Sequence, residues 1–140
     1  MNSIQYAAVF EAQPEGGFTV TFPDIPEAIT EGEDQDAALF NAAEVLTLCL
    51  EQRMLDGDAI PDASAVEGGH WIQPTASVQA ALLLRKAREQ QGKSLADLAL
   101  ALHTSWSAAQ RLELANNNPT LRQLERAAAA LGKRLIIEMA

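Results

Sequence analysis

Hydrophobic positions change their spacing along the chain, and each change marks a boundary. Residues 4–12 (IQYAAVFEA) are rich in β-formers, and Phe18-Thr19-Val20-Thr21-Phe22 alternates apolar with polar. A period of two puts one side of a strand in a core and the other in solvent. Pro14-Glu15-Gly16-Gly17 lies between the two runs and supplies a turn, so the stretch predicts a hairpin. Pro23 and Pro26 then interrupt the ladder, because proline has no N–H to donate. Ile29-Thr30-Glu31-Gly32 predicts a short third strand. Beyond it the period becomes helical. Asp34 is the expected N-cap of a helix running to about Met54, with Asp36 in the first turn where the dipole favours an anion. Leu39, Ala42, Ala43, Leu46, Leu50 and Arg53 recur at helical spacing and predict the face laid on the sheet. Residues 56–69 read as loop, and His70-Trp71-Ile72-Gln73 as a last strand before Pro74.

From Ser77 onward the pattern is helical only. Ser77 is the expected cap of a helix over 78–91, stopped by Gly92. Ser94 caps a second over 95–102, and Ser105 a third from Trp106 to about Ala115. Residues 116–119 (NNNP) form a loop, and a fourth helix covers 120–131 before Gly132. The stretch 134–139 (RLIIEM) is β-like. The expected fold is therefore an α+β N-terminal domain over 1–75, a small antiparallel sheet with one helix. An all-α domain over 76–140 follows, ending in a short β-strand. Residues 73–76 are the expected linker.

Charge sharpens this division. The net charge of the 140 residues is −9, which by itself argues against nucleic acid. Residues 1–75 hold 14 Asp and Glu against Arg53 alone, giving −13. Residues 76–140 hold five acids against nine Lys and Arg, giving +4. An acidic half attracts a basic protein, and a basic half approaches phosphate. With 48% hydrophobic residues a packed core is expected. One cysteine excludes an internal disulfide and a Cys-built zinc site, and Cys49 reads as a small buried hydrophobe. No apolar run approaches the ~18 residues that span a bilayer, and MNSIQYAAVF lacks a basic start and a cleavage site. A cytoplasmic protein with no membrane partner is the expectation.

In the second half, two short helices joined by a tight turn and flanked by supports form the layout of a helix-turn-helix. Leu95, Leu98, Ala99 and Leu102 give one helix its apolar face, and Ala109 and Leu112 the next. Leu121, Leu124, Ala128 and Leu131 are the expected inward positions of the last helix. Trp106, Ser107, Ala108, Gln110 and Arg111 are left facing outward. Gln110 suits adenine, Arg111 suits guanine or phosphate, and the hydroxyls of Ser105 and Ser107 suit phosphate or base edges. Trp106 suits a sugar or a thymine methyl, and Lys93, Arg122 and Arg126 are further candidates for the phosphate backbone. Residues 94–131 (SLADLALALHTSWSAAQRLELANNNPTLRQLERAAAAL) resemble the Cro/CI, or Xre-like, helix-turn-helix family. Leu98-Ala99, Arg111-Leu112-Glu113, Pro119-Thr120-Leu121 and Ala130-Leu131-Gly132 carry the resemblance. The family's turn glycine is His103 here, and the glycine after its glutamate is Ala115.

In the first half, Tyr6-Ala7-Ala8-Val9-Phe10-Glu11, the run GGFTVTFPDIP over 16–26, Thr30-Glu31-Gly32, Ala37-Ala38-Leu39 and Asn41-Ala42 are similar to the HicB antitoxin family. Ile60-Pro61 with Ser64 resembles its IPxPS segment. The family's Gly-Cys after the second proline is Glu27-Ala28 here. The resemblance implies a degenerate, inactive ribonuclease H-like sheet. It implies a basic HicA-like toxin that cleaves messenger RNA as partner, and operator double-stranded DNA as the target of the second domain. Candidate toxin contacts are Asp24, Glu31, Glu33, Asp56 and Asp58. A homodimer or homotetramer is expected, with the LIIEM stretch as a dimer edge. No cofactor, metal or catalytic residue is expected.

Two rival readings remain at this point. One is a stand-alone transcriptional regulator whose N-terminal domain senses a small ligand. The other is a hydrolase using Mg²⁺ on Asp24, Glu31, Glu33 and Asp36, although nothing basic stands nearby to hold a phosphate substrate.

Overall fold

A computed structural model describes residues 3–140. The chain divides into two compact units, Met1–Gln79 and Ala80–Ala140. The first contains strands β1 (Tyr6–Ala12), β2 (Phe18–Thr21), β3 (Ile29–Gly32) and β4 (His70–Ile72), with helix α1 (Gln35–Asp56). The four strands form one antiparallel sheet in the order β3-β2-β1-β4. β1 and β2 pair through Val9–Thr21, Phe10–Val20, Glu11–Thr19 and Ala12–Phe18. The turn between them closes through the Gly16 N–H to the Gln13 carbonyl at 3.0 Å. It also uses φ of +100° at Gly16 and +81° at Gly17, a region open to glycine.

Helix α1 begins where the sequence places its cap. Asp34 accepts the Ala37 N–H at 2.8 Å. Its buried stripe is Ala38, Ala42, Leu46, Leu50 and Met54, with Thr47 beside it. Ala42, Leu46 and Leu50 lie on the expected face; Ala38 and Met54 extend it at its two ends, and Leu39, Ala43 and Arg53 lie at its margin. Ala38 joins because of Gly32. A Cβ there would stand 2.3 Å from the Ala38 nitrogen, so the bare backbone of β3 lets α1 settle on Ala38. Arg53 ties the far end down: it grips Glu27 with two N–H groups at 2.6 and 2.8 Å and donates a third to the Ala59 carbonyl at 3.0 Å. The Arg53 bond holds the Glu27 carboxyl down to about 2.

The long connection to β4 is pinned as well. Tyr6 donates its hydroxyl to the Pro61 carbonyl at 2.7 Å, and Asp24 accepts the Ser64 N–H at 2.7 Å. Burial, with the nearby charges of Asp62 and Asp24, pushes the Tyr6 phenol up to about 12. Tyr6 is the only tyrosine in the chain, so tyrosinate absorbance reads it alone. The expected result is a transition displaced from the ordinary value of 10.0 towards about 12. Because the folded value is raised, this contribution to stability is full below pH 10.0 and fades as pH rises towards 12. A transition at the ordinary value would mean that the phenol is not enclosed.

Helix α2 (Ala76–Gln90) starts earlier than Ser77 predicts. The Thr75 carbonyl opens the helix, accepting from the Gln79 N–H at 3.0 Å. The Gln79 side chain donates to the Pro74 carbonyl at 2.8 Å, and Ser77 lies inside the helix rather than capping it.

The second unit continues with α3 (Leu95–Ala101), α4 (Trp106–Leu112), a 3-10 turn (Ala115–Asn117) and α5 (Leu121–Ala130). Capping boxes start α3, through Ser94 and Asp97, and α5, through Thr120 and Gln123. The core joins Leu84, Leu98, Ala99, Ala109, Leu124, Ala127 and Leu131. Two expectations fail here. Leu121 is not inward; as the first residue of α5 it is 59% exposed. Residues 134–139 form no strand: Leu135 leans on the core, but Ile136, Ile137 and Met139 find no partner strand among the described residues.

Candidate functional site

The turn between α3 and α4 decides how α4 is presented. α3 ends in a Schellman motif. The His103 N–H donates to the Leu100 carbonyl at 3.1 Å, and the Thr104 N–H to the Ala99 carbonyl at 2.9 Å. This closure needs a left-handed residue, and His103 adopts φ +53°. Histidine tolerates that region better than branched side chains do. The glycine-to-histidine departure is therefore accommodated without loss of the turn. Ala99 and Ala109 are both buried, and their small side chains let α3 and α4 approach closely.

Ser105 caps α4, its Oγ accepting the Ala108 N–H at 3.1 Å. Trp106 is half exposed, Ser107 and Arg111 are exposed, and Gln110 is partly covered. Arg111 also reaches the Ser107 carbonyl, one turn back, at 3.4 Å. Lys93, Arg122 and Arg126 are exposed as well. Beside α4 lies an open cleft lined by Ala108, Arg111, Leu112, Asn117, Pro119 and Gln123. Asn117 and Gln123 thus stand next to Arg111, which the sequence did not single out. Their only signal was the loop and cap that bring α5 back towards α4. Asp97 is held below the usual carboxylate range by the backbone N–H of Ser94, and so acts as a cap.

A buried ion pair locks the far end of α4. Arg88 donates to Glu113 through two N–H groups at 2.7 and 2.9 Å, and its third reaches the Lys93 carbonyl at 2.9 Å. Only 13% of the Arg88 side chain and 6% of Glu113 are exposed. The bond to Glu113 raises the Arg88 pKa. Glu113 appears in the helix-turn-helix pattern of the sequence, but its partner does not follow from spacing.

The candidate acids of the first unit are dispersed. Glu31 and Glu33 are exposed on and just after β3, and Asp58 is exposed after α1. Asp56 accepts from Gln52, both contacts at 3.0 Å, and Asp24 is engaged by Ser64. Among the described residues, no three His, Cys, Asp or Glu side chains converge as a metal site. The Mg²⁺ reading therefore lacks the cluster it requires.

Comparison with known proteins gives the sheet unit its relatives. Residues 5–75 match the family described as HicB_like antitoxin of bacterial toxin-antitoxin system. The chain belongs to the HicB-like antitoxin family. Residues 84–136 match a helix-turn-helix family. The chain is 33% identical over 133 residues to Antitoxin HicB 2 of Photorhabdus laumondii subsp. laumondii, covering 95% of this chain and 94% of that one. It is 31% identical over 137 residues to Antitoxin HicB of Escherichia coli (strain K12), covering 97% and 99%. Antitoxin HicB 1 of the same Photorhabdus strain is 26% identical over 139 residues. The resemblances read from GGFTVTFPDIP and from residues 94–131 hold. This is a HicB-like antitoxin with a C-terminal helix-turn-helix, and among the described residues no helix is long and apolar enough to cross a membrane.

Proposed function

We propose that this HicB-like antitoxin neutralises a small basic HicA-like toxin through its acidic domain, residues 1–75, and represses its own operon through the helix-turn-helix domain, residues 76–140. One observation carries the reading: the −13 charge lies on the residues that match the antitoxin family, and the half that contains the helix-turn-helix match, residues 76–140, carries +4. An acidic surface steers a cationic toxin, and competes with its RNA substrate for the same cations. Asp24, Glu31, Glu33, Asp56 and Asp58 contribute to that field. Lys93, Ser105, Trp106, Ser107, Gln110 and Arg111 form the proposed face for operator DNA.

One helix-turn-helix makes few phosphate contacts, so the reading includes a dimer spanning half-sites about 34 Å apart. The exposed Ile136, Ile137 and Met139 support pairing of the C-terminal stretch with that of a second copy. The test is co-expression with a small basic HicA-like protein from a reading frame neighbouring this gene. Rescue of growth is expected, and continued arrest would overturn the proposal.

Arg111→Ala separates the two activities. Operator binding is expected to weaken about 10–100-fold, with a shallower salt dependence, because a charge contact to phosphate or guanine is lost. Toxin rescue should be unchanged. Loss of both in a mobility-shift and growth comparison would argue against two separate surfaces.

A further inference from the structure

Helix α1 has a second face that the fold does not use. Ala38, Ala42, Leu46, Leu50 and Met54 run along its buried side. At 3.6 residues per turn, Phe40, Glu44, Leu48, Glu51 and Leu55 fall together on the opposite side. Phe40 is 67% exposed, Leu48 62% and Leu55 54%. Three large apolar side chains thus stand in line over about 22 Å of helix, with a carboxylate in each interval. An aromatic and two leucines aligned in solvent form the apolar centre of a contact surface rather than scattered exposure.

Charge decides the occupant. α1 carries Asp36, Glu44, Glu51 and Asp56 against Arg53, and Glu27 already holds that guanidinium. A second copy of this unit would bring −13 against −13, and nucleic acid would bring phosphate against the same carboxylates. Like charges face to face oppose both. A cationic protein with an apolar shelf rimmed by Lys and Arg satisfies both features of the stripe. We infer that the outward stripe of α1, with Phe40 and Leu48 as anchors and Glu44 and Glu51 between and beside them, is the docking face for the basic protein partner. The inference rests on the antitoxin reading and names where its contact is made. It moves the centre of that contact from the candidate acids Asp24, Glu31, Glu33, Asp56 and Asp58 to the outward face of α1.

The probe is a purified small basic HicA-like protein from a neighbouring reading frame, with any histidine replaced by alanine, titrated calorimetrically into the full-length chain. Phe40→Gln combined with Leu48→Gln keeps good helix formers at solvent positions, so the urea midpoint should not move. Its affinity should fall at least about 100-fold. Glu44→Lys combined with Glu51→Lys should slow association at low salt and converge on wild type at high salt. Wild-type affinity in the Phe40/Leu48 variant overturns the docking face and leaves the antitoxin reading standing. Failure of the unaltered chain to bind the probe overturns both. If the same variant instead breaks self-association of the chain, the stripe is a contact between copies and the inference is wrong.

Discussion

Glu113→Ala is expected to cost the helix-turn-helix unit about 3–5 kcal/mol, more than any exposed charge in the protein. The expected loss arises from what remains, not from an unusual strength of the pair. Arg88 is 13% exposed in its side chain, and without Glu113 only the Lys93 carbonyl would still accept from its guanidinium. A buried cation stripped of its counter-charge is a far larger penalty than a broken surface bridge, which costs about 1 kcal/mol or less. Arg88→Met combined with Glu113→Leu should therefore recover much of the loss, because no charge is then stranded. The chain has two tryptophans, one in each unit, Trp71 and Trp106. Urea unfolding followed by Trp106 emission in a Trp71→Phe background isolates the second unit. A shift of under about 0.5 kcal/mol for Glu113→Ala would show that water reaches the pair. Because Glu113 caps the end of α4, operator binding should fall with it.

Gly32→Ala is the corresponding experiment in the first unit. The added methyl would stand 2.3 Å from the Ala38 nitrogen and 2.6 Å from its Cα. These are backbone atoms, so no side chain can swing aside. Either β3 leaves the sheet edge or α1 shifts off its stripe, at about 3 kcal/mol. Trp71 emission in a Trp106→Phe background should report a lower urea midpoint, with Trp106 unaffected in the converse background. An unchanged midpoint would mean that β3 and α1 are not held at this distance.

Much of the fold was legible because local chemistry and tertiary need agree. Asp34, Ser94 and Ser105 cap helices as expected, and the Pro-Gly turn joins the expected strands. Misreadings occurred where a distant residue decides. The core of the α1 face, Ala42, Leu46 and Leu50, is as expected, but that Ala38 joins it depends on Gly32, which lies outside the helix and has no side chain to announce the contact. Ser77 has a capping side chain, yet Thr75 opens the helix two residues earlier. The terminal LIIEM has strand composition, but a strand exists only where a neighbour bonds it, and among the described residues none does. At the candidate DNA face, the outward residues of α4 followed from helical period. Asn117 and Gln123 reach the same cleft by a loop whose path depends on Asn118 at φ +44°, which spacing does not encode.

The side-chain amide of Asn41 donates to the Glu31 carbonyl at 2.8 Å, on a strand with an open flank. That bond occupies one lone pair of a carbonyl on the edge strand. An extended chain laid along this border would have to compete with that amide, which makes the border a poorer template for strand addition.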